Sequence, residues 1–157
     1  MYKHILIPTD GSSLSRKAIE HGIALAKSIN AKVTAVTVTV PFHVFAIEPG
    51  MLTNTAEQYE KHVAALATKD LNVAKEAAKT AGISCDAVSV EHVHPYRAII
   101  DTAAQKSCDL IVMASHGRRG ISAVLLGSET AKVLTHSAVP VLVVRAPQSA
   151  LVSQQPS

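Results

Sequence analysis

The chain has 157 residues, of which 48% are hydrophobic and only 3% aromatic, and it carries a formal net charge of +3. Because it has no Trp and its Lys and Arg residues are scattered, neither base stacking on aromatic side chains nor a nucleic-acid footprint is indicated. No apolar segment approaches the roughly 18 residues that span a bilayer, and the N-terminus lacks a signal-peptide pattern, so we expect a cytoplasmic protein without nucleic-acid or membrane partners.

Strands and helices alternate along the whole chain. Runs rich in Val and Ile indicate strands, and apolar residues spaced three to four positions apart indicate helices. The expected elements are, in chain order, a strand over 2–8, a helix over 12–29, a strand over 32–40, a helix over 53–81, a strand over 84–93, a helix over 94–106, a strand over 109–114, a helix over 127–137 and a strand over 139–144. This alternation predicts an α/β, doubly wound parallel sheet. The domain is expected over 1–145, followed by a disordered tail over 146–157.

Two of the predicted helices have a face that the spacing of apolar residues predicts to be buried. In the helix over 12–29 this face consists of Ala18, Ile19, Gly22, Ile23, Ala26 and Ile29. In the helix over 53–81 it consists of Tyr59, Val63, Leu66, Val73, Ala77 and Ala81. Ser12 or Ser13 is expected to cap the first of these helices, because a serine hydroxyl can accept a hydrogen bond from a first-turn N–H.

The most informative segment, residues 110–129, predicts an anion site. A buried strand ends at Ala114, Gly117 follows in a turn of small residues, and Gly127 and Ser128 open the next helix. Unpaired N–H groups and the helix dipole attract anions at a helix N-terminus, and glycine lets a phosphate approach the backbone. The spacing Ala114-x2-Gly117-x9-Gly127-Ser128 is neither a Walker A loop nor the Rossmann fingerprint.

A second segment is expected to face the same site. Ligands of doubly wound sheets bind beyond the carboxyl ends of the strands, where the strand order reverses. The first predicted strand runs into Pro8-Thr9-Asp10. If the first and fourth strands are neighbours, Asp10 and the loop of Gly117 face one crevice. Asp10 then either hydrogen-bonds a ribose hydroxyl or serves as a turn and cap residue, since Asp-Gly is a common turn signal.

Cysteines and paired histidines are interpreted as structural. Cys85 and Cys108 are expected to be buried or half-buried thiols in a reducing compartment rather than a disulfide or redox pair. His92 and His94 share one strand face like a metal pair, but the sequence places no Cys or carboxylate that would complete a coordination sphere. No metal site is therefore expected.

Several segments together resemble the universal stress protein family. They are the opening YKHILIPTDGS, the second strand with VTVTVP, the strand DLIVM, the segments SHGRRG and LLGSET, and the closing HSAVPVLVVR. The resemblance implies a five-stranded parallel sheet in the order 3-2-1-4-5 with helices on both faces, an adenine nucleotide as ligand, and a homodimer. It further implies ATP with Mg²⁺ as the cofactor and a role as a stress-response sensor or regulatory switch.

The same resemblance implies which residues bind the nucleotide. The family pattern Gly-x2-Gly-x9-Gly-Ser/Thr falls on Gly117, Gly127 and Ser128, with Ala114 in place of the first glycine. Ala114 is interpreted as tolerated, because a strand residue ordinarily has a negative φ. The nucleotide contacts implied in this way are Pro8, Thr9, Asp10, Val38, Met113, Ala114, His116, Gly117, Arg118, Arg119, Gly120, Gly127, Ser128 and Glu129.

Three of these residues have a second interpretation. Arg118 and Arg119 either clamp the terminal phosphates or are solvated loop charges. His116 either contacts phosphate or, as is more common in such a setting, is a structural turn residue.

Catalysis has little support in the sequence. It contains no Ser-His-Asp order, no paired carboxylates and no dedicated magnesium cluster, so at most weak ATPase or autokinase activity is expected. Two alternatives to an ATP-binding switch stay open. One is a nucleotide-independent dimeric interaction protein, and the other is a module that prefers AMP or a cyclic nucleotide.

The fifth predicted strand, over 139–144, is apolar and is expected at an edge of the sheet. An uncovered apolar edge strand is an aggregation hazard, and Pro140 blunts only its first residues. A two-fold homodimer through this strand would cover the edge, which is also what the family resemblance implies. The alternative is a monomer whose tail folds back over the edge.

Overall fold

Five parallel strands form one sheet in the order β3-β2-β1-β4-β5 in the structure, a computed structural model that describes residues 1–45, 56–117 and 126–146. The strands are β1 (His4–Pro8), β2 (Lys32–Thr39), β3 (Cys85–Glu91), β4 (Leu110–Ala114) and β5 (Val141–Val144). The predicted fold class and strand order are confirmed. Residues 147–157 of the predicted tail lie outside the described part of the chain.

Helices cover both faces of this sheet. They are α1 (Ser13–Ile29), α2 (Phe42–Phe45), α3 (Ala56–Ala81), α4 (Pro95–Gln105) and α5 (Ser128–His136). The four-residue α2 was not expected from the sequence. Within the described residues, no helix is both long and apolar enough to cross a membrane.

The alternating side chains of β1 connect two aliphatic cores. Ile5 and Ile7 belong to a buried cluster with α1 and α3 on one face of the sheet. Leu6 points to the other face and packs with Ile99 of α4 and Val133 of α5. Both clusters consist of Ile, Leu, Val, Ala and similar side chains, as the low aromatic content requires.

The register of β1 places the site-forming ends of two strands side by side. β1 pairs with β2 from His4 opposite Lys32 to Pro8 opposite Val36, and it pairs with β4 on its other side. The chain therefore leaves β1 to one side for β2 and β3 and to the other side for β4 and β5. This reversal makes the carboxyl edge of the sheet, where β1 and β4 end, the place at which the fold favours a ligand.

The buried face of α1 is confirmed except for Ile29, whereas that of α3 was predicted out of phase. Ile29 is the last residue of α1 and is 36% exposed. All six residues predicted for α3 are half-buried, at the border of the true face. The residues of α3 that are buried are Ala67, Asp70, Leu71, Ala74 and Ala78. Small alanines let α3 approach α1 and the sheet closely, whereas the prediction favoured the larger apolar residues.

Both cysteines have the structural character that was expected. They are free, with Cys108 buried and Cys85 half-buried. Burial raises the pKa of Cys108 to about 11, with the nearby Asp109 carboxylate adding to the effect. Burial also raises the pKa of Cys85. Neither thiol is therefore activated as a nucleophile at neutral pH.

Candidate functional site

The structure brings Asp10 and Gly117 together at the carboxyl edge of the sheet. Asp10 follows β1 and Gly117 follows β4, so the two are close because the strands are neighbours. A Cβ added to Gly117 would collide with Oδ2 of Asp10. The Asp10 carboxylate therefore lies directly against the backbone of Gly117, and a side chain at position 117 would displace it. This is the juxtaposition that the predicted strand order implied.

The segment after β1 is fixed to the start of α1 by its own side chains. Ser12 donates its N–H to Oδ1 of Asp10 at 3.0 Å, and Gly11 donates to Oγ1 of buried Thr9 at 3.3 Å. Ser15 donates its N–H to Oγ of Ser12 at 3.2 Å, which confirms Ser12 as the cap of α1. Asp10 thus has the turn-forming role with one oxygen, while its other oxygen lies against the loop after β4.

Ala114 occupies an ordinary strand position. It is the last residue of β4, lies opposite Val144 of β5, and is not among the described residues with positive φ. Its carbonyl oxygen accepts a hydrogen bond of 2.8 Å from Oγ1 of Thr130, a buried residue in the first turn of α5. The missing first glycine therefore causes no backbone strain, as interpreted from the sequence. Thr130 was not singled out from the sequence, although it follows Ser128 by only two residues.

Gly127 fixes the start of α5 against the turn that follows β4. Its N–H donates to the carbonyl oxygen of Ser115 at 2.7 Å. A Cβ on Gly127 would lie 2.9 Å from Cα of His116 and 3.1 Å from the oxygen of Ser115. Since φ of Gly127 is −63°, the requirement for glycine comes from close approach of two backbone segments. His116 itself has a turn contact, with Nδ1 3.2 Å from Oγ of Ser115.

The N-cap residue of α5 makes no side-chain capping hydrogen bond. Gly127 is the N-cap and has no side chain to accept a hydrogen bond, and Ser128, the first helical residue, is exposed. In the part of the chain that the structure describes, no capping side chain accepts from the first-turn N–H groups of α5. These donors and the helix dipole favour an anion at this position, as the sequence predicted.

Glu129, also in the first turn of α5, makes its contacts elsewhere. Oε2 of Glu129 accepts the backbone N–H of Tyr96 in α4 at 2.8 Å, and Oε1 lies 3.4 Å from Nζ of Lys132. The carboxylate is therefore directed toward α4. Neither this contact nor Tyr96 was anticipated, because the two residues are 33 positions apart in the chain.

The remaining predicted contacts differ in accessibility. Val38 is half-buried and lies two residues beyond Val36, the partner of Pro8, so it extends past the end of β1 at the carboxyl edge. Pro8 is half-buried as well. Met113 and Thr9 are each only 6% exposed, the least accessible of the predicted contacts that are described. Met113 packs in the core beneath α4 and α5. The three predicted contacts at Arg118, Arg119 and Gly120 lie outside the described residues.

Metal ligands are not assembled by the described residues. Among residues 1–45, 56–117 and 126–146, no three His, Cys, Asp or Glu residues are grouped to hold an ion. The N–H of His94 donates to Nδ1 of His92 at 2.8 Å, so the histidine pair stabilises a local turn.

Comparison with known proteins identifies the family of this fold. A model of the Universal stress protein family matches residues 1–145. Universal stress protein MJ0531 of Methanocaldococcus jannaschii is 34% identical over 150 residues, which cover 94% of this chain and 85% of that relative.

Solved structures with this fold cover nearly the whole chain. The structure of MJ0577, a universal stress protein of the same archaeon, matches with a TM-score of 0.78 at 26% identity, covering 94% of this chain and 98% of that one. A universal stress protein solved in complex with cAMP matches with a TM-score of 0.68 at 26% identity, covering 93% of this chain and 98% of that one.

Proposed function

The chain belongs to the universal stress protein family, and from that premise we propose that it binds an adenine nucleotide, ATP with Mg²⁺, at the carboxyl edge of its sheet. The observation that carries the proposal is the open N-terminus of α5, held against the turn after β4 by Gly127. A relative in this family has been solved with cAMP, which supports an adenine nucleotide as the ligand class.

The phosphates are assigned to the side of this edge formed by β4 and α5. Gly117 presents backbone without a side chain, and the first-turn N–H groups at Gly127 and Ser128 provide donors and a positive helix end. The exposed hydroxyl of Ser128 adds a further donor. Arg118 and Arg119, which follow Gly117 in the chain, are proposed to clamp the terminal phosphates.

The nucleoside is assigned to the side formed by β1 and β2. The Asp10 carboxylate accepts hydrogen bonds in the way that a ribose hydroxyl requires, and Val38 offers an apolar surface to adenine. Mg²⁺ would be held mainly by the phosphates and by water, which suits an ion that dehydrates reluctantly.

The proposed role is that of a sensor or switch with slow turnover. At this edge of the described structure, the Asp10 carboxylate accepts the N–H of Ser12 and the Glu129 carboxylate accepts the N–H of Tyr96. Neither is placed as a dedicated general base, so turnover is expected below about 1 per second.

We further propose a homodimer through β5. β5 is an edge strand, and Leu142 at its centre is 41% exposed. The strand begins at Val141, two residues later than predicted, because the N–H of Val139 donates to Oγ of Ser137 in a turn before Pro140. Leu142→Asp should give a folded monomer in sedimentation, whereas a wild type that is monomeric at micromolar concentration would contradict the proposal. Val144 is buried in the core and is unsuitable for this substitution.

Equilibrium titration tests the proposed ligand. Purified protein is titrated with ATP, AMP, cAMP and adenosine in the presence of Mg²⁺, and mass spectrometry identifies any nucleotide that co-purifies. Saturable ATP binding stronger than that of adenosine supports the phosphate assignment. Tighter binding of AMP or cAMP would favour the alternative ligand. No binding of any nucleotide at about 1 mM would favour a nucleotide-independent interaction protein.

A further inference from the structure

The N-terminus of α4 is capped by a side chain from another helix. Its own N-cap residue, His94, makes no side-chain capping hydrogen bond. Instead the N–H of Tyr96 donates to Oε2 of Glu129 at 2.8 Å. A carboxylate is the favoured partner at this end of a helix, because it meets both open N–H groups and the positive end of the dipole.

The ring of Tyr96 in α4 makes further contacts with side chains of α5. Its centroid lies 5.5 Å from Nζ of Lys132 and 5.5 Å from the ring centroid of His136. Glu129, Lys132 and His136 share one face of α5, because they are spaced by three and four residues. On the same ring, the guanidinium carbon of Arg97 lies 5.6 Å from the centroid. We refer to Tyr96, Glu129, Lys132 and His136 as the α4–α5 clamp.

The position of Glu129 in the first turn of α5 means that the direction of its carboxylate affects how an anion binds there. Glu129 follows Ser128 directly, so its charge originates in the turn whose N–H groups would receive the phosphates. A carboxylate free to move there would compete for the same donors and repel the ligand. The contacts with Tyr96 and Lys132 direct that charge toward α4 and partly neutralise it.

We propose that Glu129 is a positioning residue for the nucleotide and does not touch it. By capping α4, its carboxylate holds the first turn of α5 in place and leaves the N–H groups of that turn open to phosphate. This inference rests on the proposed nucleotide-binding function and assigns to Glu129 a role different from the direct contact that the family resemblance implies.

Two conservative substitutions of Glu129 distinguish the effect of its side-chain length from the effect of its charge. Glu129→Gln keeps an oxygen that can accept from Tyr96 but loses the charge. Glu129→Asp keeps the charge but is one methylene too short to span the same distance. If Glu129 positions α5, Glu129→Asp should weaken binding of ATP and of inorganic triphosphate about fivefold or more, whereas Glu129→Gln should bind both within about twofold of wild type.

Adenosine and a surface glutamate serve as controls. Adenosine has no phosphate, so its affinity should be unchanged in both variants, which a general loss of structure would not produce. Glu57→Ala removes another glutamate that pairs with a lysine of its own helix, Lys61 at 3.2 Å, but lies in α3 away from the clamp. It should bind ATP like wild type. Thermal unfolding of each variant confirms that the compared proteins are folded.

Three results would overturn the inference. Equal ATP affinity in Glu129→Asp and wild type would show that the contact with Tyr96 does not matter. A loss in Glu129→Gln with none in Glu129→Asp would show that the charge itself binds the ligand or its metal ion. A wild type that binds neither ATP nor triphosphate would overturn the proposed function and this inference together, whereas the first two results leave the proposed function intact.

Discussion

The two edges of the sheet use their polar groups differently. At the amino edge, where the strands begin, the Asp109 carboxylate accepts the N–H groups of Lys3 at 2.9 Å and His4 at 3.0 Å. Beside it, Nε2 of buried His4 lies 2.8 Å from Oγ1 of Thr34. At the carboxyl edge, the N-cap residue of α5 is Gly127, which makes no side-chain capping hydrogen bond. Polar groups that pair within the protein stabilise the fold, whereas donors left open are available to a ligand.

The N-termini of α1 and α5, which both lie at the carboxyl edge, also differ in this way. The N-cap of α1 is Ser12, whose hydroxyl accepts the N–H of Ser15 and so closes the helix end. The N-cap of α5 is Gly127, where the close approach of His116 leaves no room for a side chain. Within the described residues, the same edge therefore contains one helix N-terminus with a side-chain cap and one without. We expect substitutions at the N-terminus of α5 to change ligand affinity. Substitutions at the amino edge, where the polar groups are paired within the protein, should change stability.

The largest effect is expected from Gly127→Val. The new side chain would collide with the backbone of Ser115 and His116, so the first turn of α5 must shift away from the turn after β4. ATP affinity should fall by about 30-fold or more, equivalent to about 2 kcal/mol, in a calorimetric titration. Gly22→Ala is the matched control, since its Cβ would meet the flexible side chain of Ile7 in the core. It should lower stability but leave ATP affinity unchanged; equal loss of affinity in both variants would contradict the contrast.

Asp109→Ala should produce the opposite pattern at the amino edge. It removes the acceptor for the N–H groups of Lys3 and His4 and should lower the free energy of unfolding by about 2 kcal/mol in urea denaturation. ATP affinity should stay within about twofold of wild type, because this edge lies at the other end of the strands. A large loss of affinity with unchanged stability would show that the two edges are not separate in function.

Mild acid should destabilise the protein through His4. Burial, with Lys32 nearby, lowers the pKa of His4 from its ordinary value of 6.5. The contribution of neutral His4 to stability is complete above pH 6.5 and is lost as pH falls below that value, because the unfolded chain then binds a proton that the folded protein excludes. The decrease should not exceed about 1.4 kcal/mol per pH unit.

The Asp109 carboxylate does not interfere in this pH range. Burial alone would raise its pKa, but the N–H groups of His4 and Lys3 outweigh burial and lower the pKa from its ordinary value of 3.8. Its contribution is therefore lost only below about that pH. Urea denaturation between pH 7.5 and pH 5 should show a slope that His4→Gln removes. A slope that persists in this variant would assign the effect to another group.

Ala114→Gly should have the smallest effect. Ala114 has ordinary strand geometry, and its carbonyl oxygen accepts a hydrogen bond from Thr130 that glycine would retain. ATP affinity should stay within about twofold of wild type or improve slightly. Stability should fall by about 0.5–1 kcal/mol, because glycine is more flexible in the unfolded chain. A clear loss of affinity would mean that the methyl group itself supports the site.

The fold was predictable because its signals are local, whereas parts of the site depend on contacts between distant segments. The alternation of strands and helices follows from residue patterns, although the strand order came from the family resemblance. The phase of α3 was wrong because Ala74 and Ala78 contact the core more closely than the larger Val73 does. The contact between Glu129 and Tyr96 joins two helices and has no signature in either segment alone.

Backbone amide shifts in a two-dimensional NMR titration with ATP test most directly whether the open N-terminus of α5 receives the phosphates. Each helix end and each edge of the sheet is then observed in the same experiment. We expect the largest shifts at Gly117, Gly127 and Ser128, with little change at Ser15 in the capped first turn of α1. Saturable ATP binding with unshifted Gly127 and Ser128, or with its largest shifts at the amino edge around His4, would contradict this expectation.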